Sequence, residues 1–146
     1  MKKKFAIGLL ILVIVLIPVI WYIFTLTFDD TADLKPDYNV QALSLISEFE
    51  QNEKGANAKY VEKLVEVTGS VSAIEKADST ANIKMIDEAS GSYLIFAFQP
   101  DQKNAINKLK TGQNVIIRGS CSGAVYSEIL EVHTISFKRS IPTFFN

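Results

Sequence analysis

A run of 24 residues, Phe5 to Phe28, carries no charge, and only Thr25 and Thr27 interrupt it if Gly8 and Pro18 are counted as apolar. As a helix it would extend about 36 Å, against about 30 Å of bilayer hydrocarbon. A helix packed in a small soluble core has no need to be apolar on every face over that length. The run is therefore expected to span a bilayer. Pro18 would kink it, which membrane helices tolerate, and Trp21 and Tyr22 stand near one end, where amphipathic rings favour the headgroup region. A cleavable signal peptide is the rival reading, but its apolar core is about 7–15 residues long and ends on a small-x-small site. Here the run is longer and passes through Thr25-Leu26-Thr27-Phe28-Asp29 without such a site. A lipoprotein signal needs a cysteine just after the apolar core, and the single cysteine is Cys121. Lys2, Lys3 and Lys4 precede the run, while Asp29, Asp30 and Asp33 follow it. That asymmetry predicts a cytoplasmic N-terminus and an outward-facing remainder. The expectation is a single-pass membrane protein, with residues 1–28 as lysine cluster and signal anchor and the lipid bilayer as partner through residues 5–28.

The 118 residues after Phe28 suffice for one small core and carry a net charge of −4. Residues 29–59 read as an acidic stalk followed by an amphipathic helix. Val40, Leu43, Leu45, Ile46 and Phe49 recur close to helical spacing, with Asn39 as the expected N-cap and Gly55 as the expected stop. Its charges, Glu48, Glu50 and Glu53, are mostly acidic, so it suits a core-covering helix better than a membrane-surface one.

After Tyr60 the period changes to two. Val65, Val67, Gly69, Val71 and Ala73 alternate with polar residues as a first strand, whose interior glycine permits a sharp bend. A turn at Asp78-Ser79-Thr80 leads to a second strand around Ile83 and Met85, and the loop Asp87–Ser92 leads to a third, Tyr93–Phe98. Gln99-Pro100-Asp101 can start a short helix with Ala105, Ile106 and Leu109 on one side, which Thr111-Gly112 ends. Val115, Ile117, Gly119 and Cys121 mark a fourth strand, and Ile129 to Phe137 a fifth. The predicted fold is mainly β: residues 60–139 form a five-stranded OB-fold Greek-key barrel with a helix between strands 3 and 4, and residues 140–146 a C-terminal tail. Paired interior glycines, Gly69 and Gly119, suit strands that coil around a barrel. An α+β domain with an open sheet is the alternative.

Two segments carry a family resemblance. Asn52-Glu53, Ala56, Lys59-Tyr60 and Val65-Glu66-Val67-Thr68-Gly69-Ser70-Val71 resemble the first strand of the bacterial tRNA_anti-like OB-fold family and its approach. Gly112 and Val115-Ile116-Ile117-Arg118-Gly119-Ser120-Cys121-Ser122-Gly123 resemble that family's fourth strand. The likeness covers roughly residues 45–137 and implies a small exported or membrane-anchored OB domain, not a tRNA function. It also implies a second cysteine on the fifth strand of relatives, where this chain has His133, so that no cross-strand disulfide forms here.

One cysteine and one histidine, Cys121 and His133, exclude an internal disulfide, Cys₂His₂ zinc and any site needing two histidines. Cys121 shares its strand face with Val115, Ile117 and Gly119, which favours a packed thiol over a nucleophile. The sequence contains no G-x-x-x-x-G-K, G-x-S-x-G or H-E-x-x-H motif. No catalytic residue, metal or cofactor is expected, and the chain is read as non-enzymatic.

For ligand binding, an OB domain offers the face of strands 2 and 3 and the loops joining strands 1–2 and 4–5. Here these are Glu75–Thr80, the region of Lys84 and Tyr93, and Ala124–Ser127 with Tyr126. Lys84, Tyr93, Arg118 and Tyr126 are the candidate ligand-binding residues. Residues 60–139 hold nine basic and nine acidic side chains, a balance that disfavours a polyanion groove. The expected partner is another envelope protein or envelope component. A single-stranded nucleic acid or an oligosaccharide on the strand 2–3 face, or a structural role within a membrane complex, are the alternatives.

Overall fold

Val40 and Leu43 lie three residues apart and read as one helical stripe, yet they belong to different elements. The computed structural model describes residues 17–18, 34–76 and 80–143. The chain divides into two units, Met1–Asp30 and Thr31–Asn146. Apart from Ile17 and Pro18, the predicted membrane span lies outside the described residues, among which no helix is long and apolar enough to cross a membrane.

Strand β1 (Tyr38–Gln41) carries Val40 and precedes helix α1 (Ala42–Gln51) directly. Asn39 is thus a strand residue, and the residue flanking the helix is Gln41, whose side chain makes no capping bond. Ala42, Leu45, Ile46 and Phe49 form the buried stripe of α1, while Leu43 faces outward. Nor does Gly55 stop the helix. The chain breaks at Asn52, whose Oδ1 accepts the Gly55 N–H at 2.9 Å and starts helix α2 (Glu53–Tyr60). An Asn that can cap the turn ahead of it competes with continued helix.

The remaining elements are β2 (Leu64–Ser70), β3 (Ala73–Lys76), β4 (Ala81–Ile86), β5 (Tyr93–Phe98), a 3₁₀ turn (Pro100–Gln102), α3 (Lys103–Ile106), β6 (Asn114–Ser127) and β7 (Val132–Thr143). Together the described strands make one seven-stranded sheet in the order β1-β2-β6-β7-β5-β4-β3. The five-strand expectation is corrected on two counts. β1 adds a parallel strand to the edge of β2, with Tyr38 opposite Val65. The first predicted strand is also two: its ladder to β6 ends at Ser70, and after Val71 and Ser72 it resumes on β4. The ladders leave the sheet unclosed. Its two arms are nevertheless consecutive chain, so the sheet curls until β2 and β3 meet at a bend, an OB-like architecture. Ser72 holds the bend, donating its N–H to Lys84 O at 2.8 Å and accepting the Ile86 N–H on Oγ at 2.9 Å.

Gly69 precedes that bend for a steric reason. A Cβ there would stand 2.7 Å from Ala42 Cβ and 2.8 Å from Met85 Sδ, so only a bare Cα lets α1 and β4 approach. Inside the curl lie Val65, Val67, Ile83, Met85, Leu94, Phe96, Ile117, Ile135 and Phe137, with the Phe96 and Phe137 rings stacked at 4.6 Å. Helix α1 contacts β2, β5 and β7, bridging strands that are not all neighbours. It is tied to α2 through Glu48, which accepts from Lys59 Nζ and Tyr60 Oη, each at 2.7 Å.

Candidate functional site

Alternation on β4 and β5 fixes which side chains leave the core. Ala81, Ile83 and Met85 are buried, so Asn82, Lys84 and Ile86 take the outer face; Leu94, Phe96 and Phe98 are buried, so Tyr93, Ile95 and Ala97 join them. Across this face Lys84 Nζ lies 5.1 Å from the Tyr93 ring centroid and 2.7 Å from Glu75 Oε1 on β3. The Glu75 carboxylate holds the Lys84 ammonium above its ordinary range, partly opposed by burial. Of the four candidate residues, the structure brings these two together.

Arg118 lies elsewhere on the sheet. Its ladder partner on β7 is Ile141, whereas Tyr93 pairs with Thr134. Those positions are seven residues apart along β7, roughly 20 Å. Arg118 also faces Glu66 across the β2–β6 ladder, donating from Nε at 3.1 Å and from one terminal nitrogen at 2.7 Å to the same carboxylate oxygen. Its other terminal nitrogen donates to Leu34 O at 2.9 Å. This arginine pins the approach chain and β2 to β6.

Tyr126 stands opposite His133 near the end of the β6–β7 hairpin, with ring centroids 4.8 Å apart. His133 Nε2 is 3.3 Å from Glu53 Oε2 on α2, and its backbone N–H donates to Ser92 Oγ at 3.1 Å. Residue 126 has the parity of Ala124 and Ile135, opposite to that of Thr134 and Tyr93, so the two tyrosines do not share a face. Cys121 pairs with Phe137, not His133, and is fully buried; burial pushes its thiol above the usual range. A buried, hard-to-ionise thiol is a poor nucleophile.

The hairpin end lies further along than expected: Ala124–Ser127, read from the sequence as the loop between strands 4 and 5, belongs to β6, and the loop is residues 128–131. Ile129 and Leu130 do not begin a strand but form a turn with Glu128 and Glu131. Ser127 O accepts the Glu131 N–H at 2.8 Å, Ser127 Oγ accepts from Leu130 N at 3.3 Å, and Glu131 adopts φ 54°. Val125, Tyr126, Ile129 and Leu130 are left 70%, 45%, 93% and 69% exposed. The available signal was Ser127 ahead of the apolar pair, since serine hydroxyls stabilise such turns.

A cleft of about 780 Å³ opens beside the start of α1 and the β4–β5 loop, floored by Gly69 and Met85 and lined by Leu43, Ser44, Asn114 and Asp87. Two carboxylates, Asp87 and Glu88, border it, and among the described residues no lysine, arginine or histidine does. Among the described residues no three His, Cys, Asp or Glu side chains converge as a metal set would.

A search of curated proteins gives no match. Among solved structures, the chain is similar to a "putative nucleic acid-binding lipoprotein" of Klebsiella pneumoniae subsp. pneumoniae MGH 78578, at 20% identity and TM-score 0.57 over 81% of this chain and 99% of that one. It is similar at lower scores to a "putative aspartyl-tRNA synthetase" of Leishmania major Friedlin, at 12% identity and TM-score 0.48 over 84% of this chain and 22% of that one. The S. pombe Stn1-ten1 complex gives 13% identity and TM-score 0.38 over 56% and 59%. The first likeness supports the OB-like fold read from the strand order, and residues 1–132 match the tRNA_anti-like family model, so the chain belongs to the tRNA_anti-like family.

Proposed function

We propose that this protein is a non-enzymatic OB-fold interaction module, anchored in the bacterial inner membrane through residues 5–28, which presents residues 60–139 outside the cytoplasm to another envelope protein or component. The observation that carries this reading is the fate of the predicted cations. Lys84 and Arg118 are each held by a carboxylate, Glu75 and Glu66, at 2.7 Å. A phosphate backbone would have to displace those carboxylates before gaining a contact, and phosphate neutralisation supplies most non-specific nucleic-acid affinity. The acidic border of the cleft works in the same direction. Burial of the Cys121 thiol makes it a poor nucleophile, which supports a binding role over covalent catalysis.

A second reading, single-stranded nucleic acid on the β4–β5 face, draws on the name of the Klebsiella relative, which weighs against the charge argument. Tyr93 on that face offers a ring for stacking, worth about 1–3 kcal/mol per base in such sites. One ring beside a lysine already held by Glu75 gives weak affinity. The experiment titrates full-length protein in nanodiscs with a labelled single-stranded oligonucleotide at low salt, beside photo-crosslinking in intact cells. The first reading expects no saturable oligonucleotide binding below about 10 μM, which is about −7 kcal/mol, and protein adducts on residues 60–139. Tight binding that falls steeply with salt would put the second reading first.

A further inference from the structure

We infer that the end of the β6–β7 hairpin is a protein-docking surface, and that the segment it receives is apolar with lysine or arginine beside it. This deepens the interaction-module reading and rests on it. Three large apolar side chains, Tyr126, Ile129 and Leu130, are 45–93% exposed within five residues at the hairpin end, and Val125, 70% exposed, adds a fourth on the other face of the ribbon. Single exposed apolar residues are ordinary, whereas a group of them at one hairpin end of a small domain marks a contact surface. The group is displayed rather than loosely placed. The turn satisfies its backbone through Ser127, and the hairpin is braced by the His133 contacts to Ser92 and Glu53. None of those bonds needs the side chain of Ile129 or Leu130, so the fold gives no account of why they are apolar.

Charge selects the occupant. Glu128 and Glu131 are exposed on either side of Ile129 and Leu130, and residues 119–137 contain no lysine or arginine. An anionic lipid surface would repel this rim. A second copy docking tip to tip would face carboxylates with carboxylates. A protein segment with basic side chains flanking an apolar one meets both features at once.

The test places a photo-reactive phenylalanine analogue at position 126 of the full chain in its native membrane, and a second probe at position 97 on the sheet face. Three backgrounds are compared: wild type, Ile129→Ser with Leu130→Ser, and Glu128→Lys with Glu131→Lys. The expected result is a protein adduct at position 126 whose crosslinked peptide is apolar with lysine or arginine within a few residues. Its yield should fall at least tenfold in both variants while their melting temperatures stay near wild type. An adduct to lipid, an adduct at twice the chain mass, or a yield indifferent to charge reversal overturns the inference. Adducts at position 97 but not 126 overturn it and leave the interaction module standing. No adduct at either position overturns both.

Discussion

Glu48 shows how one exposed-looking carboxylate can organise its surroundings. Burial raises its proton affinity, but the bonds from Lys59 and Tyr60 and the Lys59 charge outweigh that and hold it below its ordinary 4.5. Tyr60 is buried and packs edge-on against Tyr38 at 5.0 Å, so this carboxylate joins β1, α1 and α2. Glu48→Gln should lower unfolding free energy by about 1 kcal/mol, the lower end for a hydrogen bond to a charged group because the carboxylate is partly exposed. A group whose folded pKa is depressed contributes fully above its unfolded value and loses that contribution as pH falls through the folded one. The difference between wild type and Glu48→Gln, measured by urea unfolding, should therefore be full at pH 7 and fade below pH 4.5. A difference unchanged at pH 3 would remove the ion pair from the account. Ser140 predicts the opposite sign. Its hydroxyl is fully buried and, among the described residues, has no hydrogen-bond partner. Ser140→Ala should leave stability unchanged or raise it by up to about 1 kcal/mol, since a buried hydroxyl without a partner costs free energy. Lys84 and Tyr93 were legible as face residues because alternation alone places them. Arg118 was legible as a cation but not as a tied one, since its partner Glu66 is 52 residues away.

At the scale of elements, what could be read was periodicity, and what could not was where a period yields to a contact. The run from Val65 to Ala73 alternates in sequence through two strands, yet the bend at Val71-Ser72 shifts the inward parity: Val65, Val67 and Val71 are buried, whereas on β3 Ile74 pairs with buried Ile83 and Ala73 with outward Lys84. The run from Val40 to Phe49 keeps helical spacing across β1 and α1, although Val40 is held by parallel pairing with Val67. Pairing partners so far apart in sequence leave no local trace. Ile129-Leu130 is the converse case, an apolar pair that local pattern assigns to a strand and a serine-anchored turn claims. The α2–β6 junction offers an element-level test. Gly123 adopts φ 101°, and a Cβ there would lie 2.8 Å from Asn57 Oδ1, the atom that accepts the Ala124 N–H. Gly123→Ala combines an unfavourable backbone region with a collision that breaks this bond. It should cost about 2–3 kcal/mol, the sum of a strained φ and one lost, partly buried bond. The expected readout is a lowered urea midpoint with an unchanged slope; a midpoint equal to wild type would show that the junction relaxes freely.

For the whole molecule, the proposed anchoring and the proposed binding surface depend on each other. A partner in the envelope is reachable only if residues 31–146 lie outside the cytoplasm, and that orientation rests on three lysines before the apolar run and three aspartates soon after it. The lysines carry most of the weight, because positive charge is retained on the cytoplasmic side while acidic residues contribute little. A reporter active only outside the cytoplasm, fused after Asn146, should therefore be active. Replacing Lys2, Lys3 and Lys4 with glutamate should mix or reverse the orientation, whereas replacing Asp29, Asp30 and Asp33 with asparagine should leave it nearly unchanged. A cytoplasm-only reporter active in the wild-type fusion would place the OB domain with nucleic acids and away from envelope partners. The hairpin tip would then need a cytoplasmic partner, and the oligonucleotide titration would become the deciding measurement. The two triple variants separate the charge rule from apolar length. If orientation held with all three lysines reversed, the 24-residue run alone would set the insertion, and the acidic flank could not rescue the charge argument.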